Sequence, residues 1–142
     1  MENKTDLVSI ERLHQDKFWI ISIHEFSTNA IDAWADSIRE YRKAMGDSKE
    51  RYLVYDTSNI PRLGMTSYLR KIATKVGKEA PQETGRVAVV LSSSSIIWQV
   101  IQMFLNFITK QLQPKLELKI FSAREEAIAW VEEIRLANEK VV

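Results

Sequence analysis

The sequence predicts an α/β fold: a mixed, mostly parallel five-stranded sheet with four helices in the order ββαβαβαβα. Two observations support this prediction. Short apolar runs of strand length alternate with longer segments in which apolar residues recur at helical spacing. The composition is that of an ordinary globular domain, because 45% of the 142 residues are hydrophobic, 27% are charged and only 4 are glycine. We expect residues 1–142 to form a single domain.

An antiparallel hairpin is predicted near the start of the sequence. Residues Leu7 to Leu13 alternate between two faces, and Phe18 to Phe26 is rich in residues that favour strands. The polar residues between them, His14 to Lys17, have the length of a hairpin turn. One strand should therefore run antiparallel to its neighbour.

The first helix and the strand after it have marked boundaries. Residues Ser27 to Asn29 offer side chains that cap a helix N-terminus, and Gly46 supplies a stop. Tyr52 to Tyr55 is a short apolar strand that ends at Asp56. A polar loop then leads to the next helix.

The second helix should begin at Met65 or Thr66 and reach Val76, where Gly77 ends the helical spacing of apolar residues. After it, Arg86 to Leu91 is a continuous apolar run, which is typical of a strand covered on both faces. This strand should lie near the middle of the sheet.

The last three elements follow from the same signals. Ser92 to Ser95 should cap a third helix that reaches about Leu112, after which Pro114 breaks the chain. Leu116 to Phe121 is the last strand, and Ala123 to Glu139 is the last helix. Strands that alternate with helices over such short connections imply right-handed crossovers onto a largely parallel sheet.

The composition argues against several classes of function. The net charge is +1 from 20 basic and 19 acidic side chains, so no overall field favours nucleic acid or an anionic membrane. Cysteine is absent, which excludes disulfides and thiolate chemistry and favours the cytoplasm. The N-terminus lacks an apolar signal segment, and the longest apolar stretch, Ile96 to Ile108, is too short to span a bilayer.

No motif indicates catalysis, a cofactor or a metal. The two histidines, His14 and His24, share no ligand spacing with each other or with a carboxylate cluster. The glycines supply no nucleophile elbow of the Gly-x-Ser-x-Gly type. We therefore expect a protein that is not an enzyme and needs no cofactor.

Three runs of residues carry a resemblance to a known family. They are the strand Tyr52 to Asp56, the strand Arg86 to Val90, and the run Ile120 to Trp130, where Phe ends a strand and acidic residues, Ala and Trp follow. Together they resemble the SpoIIAA-like branch of the STAS superfamily, small domains related to bacterial anti-sigma factor antagonists. The resemblance implies a regulatory domain.

Phosphorylated antagonists of that superfamily carry Asp-Ser-Ser/Thr-Gly at the start of the second helix. The resemblance places Gly64 to Ser67 there, with Gly64 at the position of the acid, Met65 at that of the phosphoacceptor and Ser67 at that of the glycine. A shift of one residue would bring Thr66 to the acceptor position, so Thr66 and Ser67 remain candidate phosphoacceptors, although hydroxyls at a helix start more often cap it. Asp56 is another candidate for chemistry because ligands bind beyond strand ends, although hydrogen bonding to the next loop is favoured.

The third helix has more apolar surface than an ordinary core contact explains. Its apolar residues cover an arc of roughly 220°, whereas a surface helix needs a stripe somewhat over 100°. The surplus could be covered by flanking helices, by a second copy of the chain, or by an apolar ligand between the second and third helices. The second helix is also basic and the last helix acidic.

These signals predict a non-enzymatic domain that binds a protein partner, or a second copy of itself, through its second and third helices. One alternative is a carrier or sensor of a small apolar, lipid-like ligand, and another is a switch phosphorylated at Thr66, Ser67 or Asp56. We expect neither a nucleic-acid partner nor a transmembrane segment. The candidate ligand or partner surface consists of Asp56, Met65, Leu69, Met103 and Phe107.

Overall fold

The strands and helices follow the predicted order in the computed structural model, which describes residues 7–60, 62–92 and 95–140. The predicted α/β class and the mixed five-stranded sheet are confirmed. The predicted cap of the third helix, Ser92 to Ser95, lies partly outside the described residues. The strands are β1 (Val8–Leu13), β2 (Phe18–Ile23), β3 (Glu50–Asp56), β4 (Thr84–Val90) and β5 (Leu116–Phe121). The helices are α1 (Thr28–Met45), α2 (Ser67–Lys78), α3 (Ser95–Phe107) and α4 (Arg124–Lys140).

The strands lie in the sheet in chain order, with β1 at one edge and β5 at the other. β1 is antiparallel to β2, and the later pairs are all parallel. Leu13 pairs with Phe18 across the turn, so the predicted hairpin is present.

Helices α1, α2 and α3 cover one face of the sheet, and α4 covers the other. Each crossover takes the chain to the next strand in the same direction, and a constant handedness then places the three helices on one side. On β3, Leu53 and Tyr55 face these helices, whereas Val54 and Asp56 face α4. Both faces of the central strands are therefore buried, as the apolar run of β4 predicts.

The second helix ends later than predicted, because Gly77 does not stop it. Helix α2 continues through Gly77 to Lys78. A side-chain carbon added at Gly77 would lie 3.4 Å from Leu112 Cδ1, so the residue packs directly against the segment that follows α3. Glycine serves close packing at this position.

The third helix changes its winding near its end. Residues Ile108–Leu112 form a π-helical turn, and the Gln113 N–H donates to the Ile108 carbonyl at 2.8 Å. The helical segment thus reaches Leu112 as predicted, but only its first part, as far as Phe107, is an α-helix.

A buried ionic cluster joins the elements near the start of β3 and β4. The Glu83 carboxylate accepts hydrogen bonds from Arg51 Nε at 2.5 Å, Arg42 Nε at 2.7 Å and Gln113 Nε2 at 2.7 Å. Only 4% of Glu83 and 3% of Arg51 is exposed. Buried charges are tolerated when they are paired in this way, so the cluster fixes α1, β3 and the segment after α3 relative to one another.

Candidate functional site

An apolar cavity of about 160 Å³ lies between the sheet and helices α1, α2 and α3. All three helices and the central strands contribute to its wall, and most of the lining side chains are hydrophobic. The wall includes Ile38, Ile60, Leu63, Met65, Leu69 and Ala73.

Tyr55 of β3 brings a polar group to this apolar wall. Its ring packs edge-on against Trp34 of α1, with 5.5 Å between the centroids and 87° between the planes. Burial raises the pKa of the Tyr55 hydroxyl above its ordinary value, so the hydroxyl keeps its proton at neutral pH. Tyr55 is half-buried, and among the described residues its hydroxyl has no hydrogen-bond partner.

The charged groups at one end of the cavity are already paired with each other. Arg42 and Glu83 of the ionic cluster both line the wall there. Besides its bond to Glu83, Arg42 donates through Nη2 to the Val76 carbonyl at 2.9 Å and through Nη1 to Glu79 at 3.4 Å. Every nitrogen of the Arg42 guanidinium therefore has a protein acceptor.

A second apolar feature, the α2–α3 groove, lies on the surface between those two helices. Met103 and Phe107 line it and are 72% and 43% exposed. Arg70 and Thr74 form its α2 side. Phe104 lines both this groove and the internal cavity.

The outer face of α2 is strongly basic beside this groove. Arg70, Lys71, Lys75 and Lys78 surround a shallow depression on the surface. None of these four side chains forms an ion pair with another residue in the described part of the chain. Glu79 also lines this depression and interacts with Lys75, so the α2–α3 groove lies beside a surface whose positive charge is only partly compensated.

Asp56 lies apart from both features, on the face of the sheet that α4 covers. One of its carboxylate oxygens accepts from the Ser58 N–H at 2.9 Å and the Ser58 hydroxyl at 2.6 Å. The other accepts from Arg124 Nη1 at 3.1 Å. Only 5% of Asp56 is exposed, so its oxygens are occupied within the protein.

The five candidate surface residues therefore divide among three places. Met65 and Leu69 line the cavity, Met103 and Phe107 line the α2–α3 groove, and Asp56 faces α4. The structure does not bring them together as one surface.

In residues 7–60, 62–92 and 95–140, no group of three or more His, Asp or Glu side chains is placed to hold a metal ion. Over the same ranges, no helix combines the length and apolar character that crossing a membrane requires. The two histidines have other contacts: His14 Nε2 pairs with Glu132, and His24 Nε2 lies 2.9 Å from Ser9 Oγ.

Comparison with known proteins identifies the family. The model of the SpoIIAA-like family matches residues 12–132. The chain belongs to the SpoIIAA-like family. The resemblance inferred from the sequence is therefore confirmed.

A solved structure shares the fold of this SpoIIAA-like chain. It is described as an uncharacterized protein from the DUF3478 family with a SpoIIAA-like fold, from Shewanella loihica PV-4. The TM-score is 0.58 at 15% sequence identity, over 92% of this chain and 99% of that chain. A search of curated proteins finds no match to the sequence.

SpoIIAA-like domains are often regulatory or interaction domains. In this member, Thr66 is the N-cap of α2, and its Oγ1 accepts from the Leu69 N–H at 3.1 Å. Ser67 is the first residue of the helix, and both side chains are exposed. The Thr66 hydroxyl thus caps the helix, next to Met65, the residue that the family resemblance puts at the phosphoacceptor position.

The sequence analysis missed Tyr55 and Trp34 as site residues of this SpoIIAA-like domain. The alternation in β3 carries one usable signal, because Tyr55 shares a face with Leu53 and a core-facing tyrosine needs a partner for its hydroxyl. Whether that partner exists depends on how three helices pack over the strand. The periodicity of a single element does not contain that information.

Proposed function

We propose that this SpoIIAA-like domain is a regulatory domain that senses or carries a small apolar ligand. The observation that supports it is the apolar cavity with an unpaired tyrosine hydroxyl on its wall. The cavity is partly open to solvent, and its volume of about 160 Å³ is large for a gap between closely packed apolar side chains. Apolar cavities of roughly 150 Å³ remain dry and bind benzene-sized molecules.

The surroundings of the cavity favour reversible entry of a ligand. Met65, Leu69 and Phe104 on its α2–α3 side are only half-buried, so few atoms separate the cavity from solvent there. Met65 also belongs to the loop between β3 and α2, whose described residues form no strand pairing, and the next residue, Thr66, is the N-cap of α2. A ligand could pass at this side without disrupting the strands.

Native mass spectrometry of freshly purified protein tests this proposal. A small bound molecule should appear as an added mass that disappears under denaturing conditions. The variant Ala73→Leu adds atoms inside the cavity and should lose the adduct. Ala129→Leu adds the same atoms to an exposed position of α4 and should keep it.

A protein without an adduct is then titrated with toluene and followed by NMR shifts of its amides. Shifts confined to the cavity lining would support the proposal. An absence of any shift, together with the absence of an adduct, would contradict it.

The α2–α3 groove supports a second candidate function, docking of an acidic protein partner. Met103 and Phe107 offer apolar contact, and the unpaired cations of α2 would attract carboxylates. SpoIIAA-like domains typically interact with proteins, which agrees with this candidate. The basic face of α2 indicates that the partner's contact surface is acidic.

Replacing Phe107 with Glu tests this docking, because it places a charge in the middle of the groove. Leu136→Glu is the matched control, since Leu136 on α4 is 45% exposed and Phe107 is 43% exposed. A purified binding partner should lose affinity for Phe107→Glu and keep it for Leu136→Glu. Light scattering of the protein alone tests whether a second copy of the chain covers the groove instead. In that case the wild type is a dimer and Phe107→Glu is a monomer.

A further inference from the structure

We propose that the cavity selects a small neutral ligand, with an apolar body and one oxygen that accepts a hydrogen bond from the Tyr55 hydroxyl. This inference rests on the proposed function and adds the chemical class of the ligand. Alcohols, ketones, aldehydes and esters belong to that class. Carboxylates and ammonium ions do not.

The first step of the argument is the unpaired hydroxyl. Tyr55 lines an apolar wall, and its hydroxyl lacks a partner among the described residues. Tyr55 is half-buried, so in the absence of a ligand water that enters the cavity is left to pair with its hydroxyl, and a ligand acceptor would take the place of that water. Since burial also holds the hydroxyl in its protonated form, it acts as a donor at neutral pH.

The second step concerns charge. The cations and anions on the wall are Arg42, Glu83 and Glu25. Arg42 and Glu83 neutralise each other within the ionic cluster, and Glu25, at the exposed rim, accepts from the Ser27 hydroxyl at 2.7 Å. A ligand carboxylate would find no free cation, and a ligand ammonium no free carboxylate inside the cavity.

An ion placed in such an apolar space without a counter-ion loses its hydration without compensation. A neutral oxygen loses much less, and Tyr55 replaces the lost hydrogen bond. The cavity therefore discriminates by charge first and by the presence of an acceptor second.

The third step concerns size and shape. A volume of about 160 Å³ suits a molecule of roughly benzene size with a short substituent. Trp34 and Tyr55, which contact each other, and Phe104 supply aromatic surface to the wall. We therefore expect a ring with one polar substituent to be accepted.

Three probes of nearly equal size separate the two criteria. Acetophenone carries a neutral acceptor, α-methylstyrene replaces that oxygen by a CH₂ group, and benzoate carries a negative charge. Their dissociation constants are measured by NMR titration of the full chain, in the wild type and in Tyr55→Phe. The variant removes one oxygen that has no hydrogen-bond partner among the described residues, so it should fold normally.

Wild type should bind acetophenone about tenfold more tightly than α-methylstyrene, as expected for one net hydrogen bond, and benzoate most weakly. Tyr55→Phe should bind acetophenone and α-methylstyrene equally. Equal binding of these two probes by wild type, or tightest binding of benzoate, would overturn the inference and leave the proposed function intact. If none of the probes binds, the proposed function and the inference fail together.

Discussion

The ring of Phe104 stacks on that of Phe107, with 6.0 Å between the centroids and 29° between the planes. Phe104 also lines the internal cavity, whereas Phe107 lines the outer groove together with it. The two rings therefore connect the candidate ligand site with the candidate docking surface. A ligand that displaces Phe104 would change the shape of the groove without any movement of the backbone.

Truncation of these two rings should have unequal effects. Phe104→Ala should lower the free energy of unfolding by about 2 kcal/mol, because it enlarges the cavity and removes half-buried apolar contacts. Phe107→Ala should cost less than about 1 kcal/mol, since 43% of that residue is already exposed. Urea denaturation measures both, and equal losses would show that Phe104 does not support the cavity wall.

Neutralising the centre of the buried ionic cluster should destabilise the protein strongly. Glu83→Gln leaves Arg51 and Arg42 without their shared counter-ion and should cost about 3–5 kcal/mol. Glu117→Gln is the control, because its side chain is 58% exposed and its ion pair with Arg86, outside the cluster, should contribute less than about 1 kcal/mol. Urea denaturation at neutral pH compares them. Similar losses would mean that burial adds nothing to this cluster.

The stability of Tyr55→Phe relative to wild type should depend on pH. Burial raises the pKa of Tyr55 in the folded state, so folding favours the neutral hydroxyl. The resulting stability is fully present below about pH 10, the pKa of tyrosine in the unfolded chain. As the pH rises above about 10, unfolded Tyr55 ionises and wild type should lose stability relative to the variant. Near neutral pH, the two proteins should differ by less than about 1 kcal/mol.

Tyr41→Phe provides the contrast for this measurement. The Tyr41 hydroxyl donates to the Lys17 carbonyl at 2.7 Å and accepts from the Tyr52 N–H at 3.1 Å. Removal of this hydroxyl should lower the free energy of unfolding by about 1–3 kcal/mol already at neutral pH, because the Lys17 carbonyl and the Tyr52 N–H lose their partner. A similar neutral-pH loss for Tyr55→Phe would reveal a partner for the Tyr55 hydroxyl.

A small phosphodonor such as acetyl phosphate should leave the intact mass of the protein unchanged. Both oxygens of Asp56 are held by Ser58 and Arg124, so neither is free to attack phosphorus. A second intact-mass measurement, after incubation with a cognate kinase, tests Thr66 and Ser67. One added phosphate per chain would replace the ligand-sensing proposal with a phosphorylation switch, and the variants Thr66→Ala and Asp56→Asn would then locate it.

The sequence was sufficient for the order of elements because each one carries its own periodicity and its own end signals. The last strand, Leu116 to Phe121, has the predicted bounds, and Ser27 and Gly46 cap α1 as expected. Gly77 shows the limit of such signals. A glycine that ends a helix and one that packs against Leu112 look alike until the neighbouring helix is known.

The candidate site was predictable only in part, for a geometric reason. Asp56 and Tyr55 are adjacent in sequence, yet side chains alternate along a strand, so they face opposite sides of the sheet. Which side receives α2 and α3 depends on the direction of every crossover. The cavity is the space left between the sheet and three helices, so no single segment encodes it.

The strand order of the sheet has a consequence for biosynthesis. Because β1 to β5 lie side by side in the order of translation, each new strand can pair with the one that left the ribosome just before it. Domains begin to fold from the N-terminus during synthesis, at about 5–20 residues per second. Helix α4 is translated after all five strands, and Ala127 and Val131 complete the core on its face of the sheet. The growing chain exposes that face until its final helix arrives.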